Sequence, residues 1–266
     1  AHAVTRDCGD TFQTWGLRLR RLLFHPTNST VLAGIDEAHT LWMSSDLGVN
    51  WRDIAPNIND FSFAKYSESA FFAARNRIIA TQRTSPATGR PRQDLVFSDN
   101  YFNSTQRILS DVEMFRLTKC CVYAKETNKE IAVSDAFGWF YLFYNVTIEG
   151  EDSRSFTDFN VLDSEAFFNT FATVQRERKG PEAHDLLKSG YSGASFKVLL
   201  KDVVCNRELA ECDFLPLRSL PGTIVVNRFD RSFLDAVNDL PESRRGRINE
   251  LTSFDNLADY RLTLLS

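Results

Sequence analysis

The chain predicts an all-β fold of propeller blades, four strands to a blade, and three observations carry that prediction. Its apolar residues come in short runs bounded by turn residues, the pattern of strand after strand. A hairpin-turn pattern known as the Asp-box, Ser-x-Asp-x-Gly-x-x-Trp, is present at Ser44–Trp51 and recurs in altered form. Successive copies start roughly 35 to 65 residues apart, the spacing of four-stranded blades with insertions. About five blades are expected, in one segment covering residues 1–266.

The clearest copy, Ser44-Ser45-Asp46-Leu47-Gly48-Val49-Asn50-Trp51, directly follows the strand-like Thr40-Leu41-Trp42-Met43. Asp46 can accept hydrogen bonds from the N–H groups of its own turn, and Ser44 can do the same more weakly. Gly48 supplies the positive φ that a tight hairpin needs. Trp51 restarts a strand with a large apolar anchor. A second good copy opens the chain at Thr5–Phe12, with Asp7, Gly9 and Phe12 in the corresponding places. Near the end, Ser253 and Asp255 recur with Tyr260, but Leu257 stands where glycine belongs. The copies at Ser134 and Ser189 are degenerate, and Ser98-Asp99-Asn100-Tyr101-Phe102 keeps little beyond the serine and an amide.

Between these turns, Leu22–Phe24, Val31–Ala33, Arg77–Ala80, Leu95–Phe97, Cys121–Ala124, Glu130–Val133 and Thr223–Val226 read as strands. Helix is expected only at Asp230–Leu240 and around Glu182–Leu187. Thr81–Gln93, with two prolines and three arginines, reads as an exposed basic loop.

With 266 residues, 43% of them hydrophobic, the chain can bury a large core. A net charge of −4 argues against nucleic acid as a partner. No apolar run reaches the roughly 18 residues that would cross a bilayer. No Cys/His set has metal-site spacing, and neither a metal nor a cofactor is expected. Cys205 and Cys212 are spaced for a disulfide that pins a loop, leaving Cys8, Cys120 and Cys121 unassigned. Together with the sequons at Asn28, Asn103 and Asn145, this points to an oxidising luminal or extracellular compartment.

In order along the chain, the motifs resemble the sortilin-type vacuolar and lysosomal sorting receptors. The resemblance rests on Phe24-His25-Pro26, Val31-Leu32-Ala33 and Leu41–Trp51, then on Leu95–Phe102. It continues through Ser195–Leu200, Cys212-Asp213-Phe214, Ser219–Asn227 and Arg247–Asn256. It implies the C-terminal half of a ten-bladed luminal propeller, followed by a cysteine-rich module, a membrane span and a tail that recruits coat adaptors. It also implies cargo proteins or peptides as ligands, transport between Golgi and endosomes or specialised secretory organelles, a homodimer as one oligomeric option, and release in acid.

In that family a basic side chain in the tunnel pairs with the ligand's terminal carboxylate, and the corresponding interval here holds Lys197, Lys201 and Arg207. Arginine suits a carboxylate best, because its fork donates two parallel bonds. His39 and His184 are the histidines available for a response to acid, while His25, inside Phe-His-Pro, reads as structural. Two other readings compete. One is a propeller that scaffolds a larger assembly; the other is a sialidase-like hydrolase, for which neither the Arg-Ile-Pro motif nor an identifiable acid pair is present.

Overall fold

The computed structural model describes residues 3–5, 9–11, 13–64, 76–84, 92–118, 121–134, 143–152, 157–164, 170–175, 183–190, 192–206, 211–212, 214–216, 224–229 and 260–265. All their regular structure is β, and the chain divides into two compact units, Ala1–Phe143 and Tyr144–Ser266.

The first unit opens with a small antiparallel pair, β1 (Ala3–Val4) and β2 (Gln13–Thr14). Three four-stranded sheets follow, each with its strands in chain order. The first holds β3 (Leu19–Phe24), β4 (Leu32–Asp36), β5 (Leu41–Ser44) and β6 (Arg52–Ala55). The second holds β7 (Ile58–Phe63), β8 (Ile78–Thr84), β9 (Arg92–Ser98) and β10 (Gln106–Leu109). The third holds β11 (Val112–Leu117), β12 (Val122–Glu126), β13 (Ile131–Ser134) and β14 (Phe143–Asn145), where the second unit begins.

These sheets are blades stacked face to face, and strand alternation shows it. On β8, Ile78 and Ala80 join a core with Ala33, Ile35, Leu41 and Met43 of the first blade. Ile79 between them joins Val112, Phe115, Val122 and Ala124 of the third. On β9, Val96 faces the first core while Leu95 and Phe97 face the second. With both faces buried, the middle strands read as unbroken apolar runs rather than alternating ones.

The second unit contains β15 (Thr147–Ile148), β16 (Glu151–Asp152), β17 (Thr157–Ser164), β18 (Thr170–Gln175), β19 (Ala183–Ser189), β20 (Ser195–Asn206), β21 (Glu211–Cys212), β22 (Phe214–Pro216), β23 (Ile224–Phe229) and β24 (Tyr260–Leu265). β17 to β20 pair antiparallel in sequence, a fourth blade-like sheet. Beyond it β20 runs on to pair with β21 and β23, and β23 with β22 and β24. Asp202, at φ +66°, marks the change of direction on β20. Exposed positions alternate at Ser195, Lys197, Leu199 and Lys201, but Val203 and Cys205 are buried.

Two sequence expectations are corrected. Around Glu182–Leu187 the chain forms not a helix but β19, held between β18 and β20. His184, Asp185, Leu186 and Leu187 are all buried, so both faces of the segment are covered, and a lone amphipathic stripe would not serve. The basic loop of Thr81–Gln93 is shorter than expected: Thr81 to Thr84 pair with Leu95 to Arg92, and Thr81 is fully buried. Asp230–Leu240 lies outside the described residues.

The Asp-box at Ser44 folds as its residues demand. Ser44 Oγ donates to Asp46 Oδ1 at 2.8 Å and accepts from Gly48 N at 2.8 Å. Asp46 accepts from Asn50 N at 2.9 Å and from Asn50 Nδ2 at 2.7 Å. Gly48 has φ +83°, and Trp51 Nε1 donates to its carbonyl at 3.1 Å. In the opening copy Gly9 N likewise donates to Thr5 Oγ1 at 2.7 Å, and Gly9 has φ +105°. Asp7, Phe12, Ser253 and Asp255 lie outside the described residues.

The turn at Ser98, faint in sequence, is complete in three dimensions. Asn100 takes the part of Asp46, accepting from Ser98 Oγ at 3.0 Å and from Ser104 N at 3.0 Å. Phe102 takes the place of Gly48, with φ +64° and its N–H on Ser98 Oγ at 2.9 Å. Tyr101 is also left-handed, at φ 55°, and both rings pack on the first core, which offsets the backbone strain.

In all four sheets a buried serine ends the third strand: Ser44, Ser98, Ser134 and Ser189. Each stands opposite the first residue of the second strand or the residue that leads it in. Leu32 pairs with Ser44 and Ile78 with Ser98 in the ladder, and Thr170 with Ser189 by its N–H on Oγ at 2.8 Å. Val122 N bonds Ser134 Oγ at 2.8 Å in the same way.

Gly48→Ala should therefore cost about 2–4 kcal/mol, because a Cβ meets the Trp15 ring at 2.6 Å and the backbone is left-handed. Gly9→Ala, with nothing within 4 Å of its Cβ, should cost about 1–2 kcal/mol from backbone strain alone. Urea unfolding of the two variants checks the difference. The Asn50 backbone and side chain, then Ser44, hold the Asp46 carboxyl down at about 2 from its ordinary 3.8. A folded value below the unfolded one gives stability that is present above about pH 4 and is lost as pH falls toward about 2. Unfolding temperatures of wild type and Asp46→Ala should thus converge across that window.

Candidate ligand-binding surface

The first strand of each blade in the first unit differs from the strands behind it. Each begins with a buried aliphatic residue (Leu19, Ile58 or Val112). Each then carries one residue too many for its ladder. Leu19 pairs with Asp36 and Arg21 with Ile35, leaving Arg20 as the extra residue. Ile58 pairs with Gln82 and Asp60 with Thr81, leaving Asn59. Val112 pairs with Glu126 and Met114 with Lys125, leaving Glu113. Such bulges re-aim side chains out of the strict alternation and collect near functional sites.

Neighbouring blades support these bulges. The His39 carbonyl, from the β4–β5 turn, accepts Ile58 N at 2.8 Å, and Gln93 Nε2 reaches the carbonyls of Val112 and Glu113 at 2.9 Å each. Charge then joins the first strands. Asp60 is ion-paired to Arg21 of β3 and lies 3.9 Å from Arg116 of β11. Arg21 also covers the Phe61 ring at 5.8 Å. Glu113 meets Lys125 at 3.3 Å.

At Asn59 the balance differs. Arg20 donates to the Asn59 carbonyl and to His39 Nδ1 at 3.0 Å, and Arg83 donates to Asn59 Oδ1 at 3.4 Å. Both guanidinium groups are exposed, and among the described residues neither has a carboxylate within 4.0 Å. Sequence reading missed this group, because Arg20, Asn59 and Arg83 belong to no motif. A weak signal existed: Leu19-Arg20-Arg21 and Ile58-Asn59-Asp60 interrupt otherwise apolar strands with adjacent polar residues.

Of the residues expected to bind ligand, Lys197 and Lys201 lie on β20, exposed, with Leu199 exposed between them. They stand about 13 Å apart along the strand. Arg207 lies outside the described residues. The disulfide Cys205–Cys212 is formed, and it closes the β20–β21 hairpin in which Cys205 pairs with Cys212 and Asn206 with Glu211. Asn28, Asn103 and Asn145 are all exposed. Thr30 donates from both N and Oγ1 to Asn28 Oδ1, at 3.1 and 2.8 Å. His25 is structural: its Nδ1 accepts from Asn28 N at 3.1 Å, and its ring packs edge-on to Phe63. His184 is buried on β19. Among the described residues no group of three His, Cys, Asp or Glu side chains is placed to hold a metal.

A separate cleft of about 650 Å³ runs between Arg107–Asp111 and Glu126–Asn128. Burial, followed by the charges of Glu130 and Asp111, pushes the Glu126 carboxyl above its usual range.

Four-stranded sheets in chain order, two of them leaving their third strands through Asp-box-type turns at Ser44 and Ser98, define a segment of β-propeller. A family model described as sortilin, neurotensin receptor 3, matches residues 1–261, and the chain belongs to this sortilin-Vps10 family. No curated protein sequence matches it. Among solved structures it is similar to an ancestral GH74 enzyme, with TM-score 0.50 and 14% identity over 85% of this chain and 33% of that one. A GH74 xyloglucanase from Xanthomonas campestris gives 0.48 and 14% over 77% and 34%. The N-terminal domain of Nup159 gives 0.45 and 10% over 79% and 57%. The chain spans about a third of the length of those two enzymes and 57% of the Nup159 domain, and the likeness is one of fold.

A raised Glu126 carboxyl has a stability consequence. Its folded value lies above the unfolded one, so the ionised form weakens the fold at neutral pH and protonation relieves that as pH falls. Glu126→Gln should raise the urea midpoint at neutral pH, with the gain shrinking toward about pH 4, where the native carboxyl is already protonated.

Proposed function

We propose that this chain is part of the luminal ligand-binding propeller of a transmembrane receptor that carries proteins between the Golgi and endosomal, lysosomal or specialised secretory compartments. The observation that carries this reading is the family match across residues 1–261. The Cys205–Cys212 disulfide and the exposed sequon asparagines fit an oxidising lumen. The remaining blades and a cysteine-rich module of the same receptor would pack beside it, and a cytoplasmic tail would recruit coat adaptors.

The reading includes no catalysis. The acids on the first strands, Asp60 and Glu113, are each engaged by arginine or lysine, which suits a positioning role better than proton transfer. The GH74 likeness, at 14% identity, concerns the fold and brings no glycosidase chemistry with it. Ligands are proteins or peptides, for which a broad row of exposed strand residues offers more contact than a closed pocket does.

A pull-down with the intact luminal region, at neutral and mildly acidic pH, checks the reading. Recovery of secretory or lysosomal proteins that varies with pH is the expected result. A constant set of partners at both pH values would instead mean a scaffold.

A further inference from the structure

We propose that the seam between the first two blades binds a carboxylate-rich segment of the protein ligand through Arg20 and Arg83. The proposal rests on the receptor reading for the nature of its ligand, but its chemistry comes from the bulges. Arg20 is the extra residue of β3 and Asn59 the extra residue of β7, so both are held out of their ladders at adjoining places. Arg20 and Arg83 converge there on a neutral asparagine. Nearby Arg21, by contrast, has Asp60, and Arg77 has Asp99 in a two-bond fork at 2.7 and 2.8 Å. Two exposed guanidinium forks with neutral partners can each take a carboxylate by parallel charge-assisted bonds.

His39 is fixed beside them. Its backbone is left-handed at φ 64°, its N–H bonds the Asp36 carbonyl at 3.2 Å and its carbonyl holds Ile58 N. An arginine can only donate, so the 3.0 Å bond from Arg20 requires Nδ1 to be an unprotonated acceptor. The groups facing it are Arg20 from β3 and, across Asn59, Arg83 from β8. The acids of its own turn are Asp36 and the exposed Glu37. Asp36 is committed to Thr40 N and Trp42 Nε1, both at 2.8 Å. The carboxylates of a ligand would supply the negative charge that Arg20 and Arg83 lack among the described residues.

The test is fluorescence anisotropy with a labelled hexa-aspartate peptide and a hexa-asparagine control at about pH 7.4, where aspartate is ionised. Wild-type protein should bind hexa-aspartate alone. R20Q/R83Q should weaken binding at least about tenfold, whereas R92Q/R107Q, which removes the same charge elsewhere, should leave it nearly intact. Arg20 and Arg83 are exposed, and an unchanged unfolding midpoint shows that R20Q/R83Q is folded. No binding by wild type, or equal binding by R20Q/R83Q, would each overturn the proposal. Cargo capture by R20Q/R83Q equal to wild type would overturn this site and leave the receptor reading standing. Peptide binding as expected, with no cargo captured by wild type, would uphold the site and remove the receptor.

Discussion

A hydroxyl buried at the end of each third strand is the constraint on which the blades depend. Ser44, Ser98, Ser134 and Ser189 are between 1% and 4% exposed, so each must satisfy its polar group inside the protein. Two solutions occur. Ser44 and Ser98 turn toward the loop ahead and accept the N–H four residues on. Ser134 and Ser189 turn sideways and accept the N–H that opens the second strand. Either way the corner is pinned where the third strand leaves the sheet, and the strand behind it is held in register. An alanine there would bury an unanswered N–H, a cost of about 1–3 kcal/mol.

Pinned corners let the sheets be buried on both faces. Ile78, Ile79 and Ala80 are successive residues, and they serve two different cores in turn. The first strands share these cores through Ile58, Phe61 and Phe63 on β7 and Val112 and Phe115 on β11, but one edge of each has no strand beyond it in its own sheet. Charge occupies that edge. Asp60, reached by Arg21 and approached by Arg116, links three first strands. At these partly exposed positions such pairs add only about 0.2–1 kcal/mol each, so they specify alignment more than they stabilise.

How much of this was legible depended on whether a residue acted through its own neighbourhood. The turn at Ser44 is wholly local, and its geometry could be read from eight letters. The turn at Ser98 uses the same bonds, but an amide replaces the carboxylate and a left-handed Phe102 replaces glycine. Its strain is tolerated because Tyr101 and Phe102 pack on a core shared between the first blade and their own. No local pattern can show that. β19 misled for a related reason: His184-Asp185-Leu186-Leu187 mixes polar and apolar residues as a helix would, and only β18 and β20 on either side explain why all four are buried. Arg20, Asn59 and Arg83 come from three strands of two blades, so their meeting was invisible to any reading along the chain.

The bulges join these observations. An extra residue placed after a buried Leu19, Ile58 or Val112 disturbs the ladder in the same place three times. The flanking aliphatic residue varies little in kind, because it fills a core. The extra residue is Arg20, Asn59 or Glu113, which are cationic, neutral and anionic. At Asn59 and Glu113 that chemistry is almost independent of the fold, since the His39 carbonyl on Ile58 N and the Gln93 amide hold those bulges, whereas Arg20 reaches the Asn59 carbonyl with its own side chain. A propeller built this way can change what its first strands present without changing how its blades close. That separation explains how a chain with eroded motifs can keep the fold while its surface chemistry becomes its own.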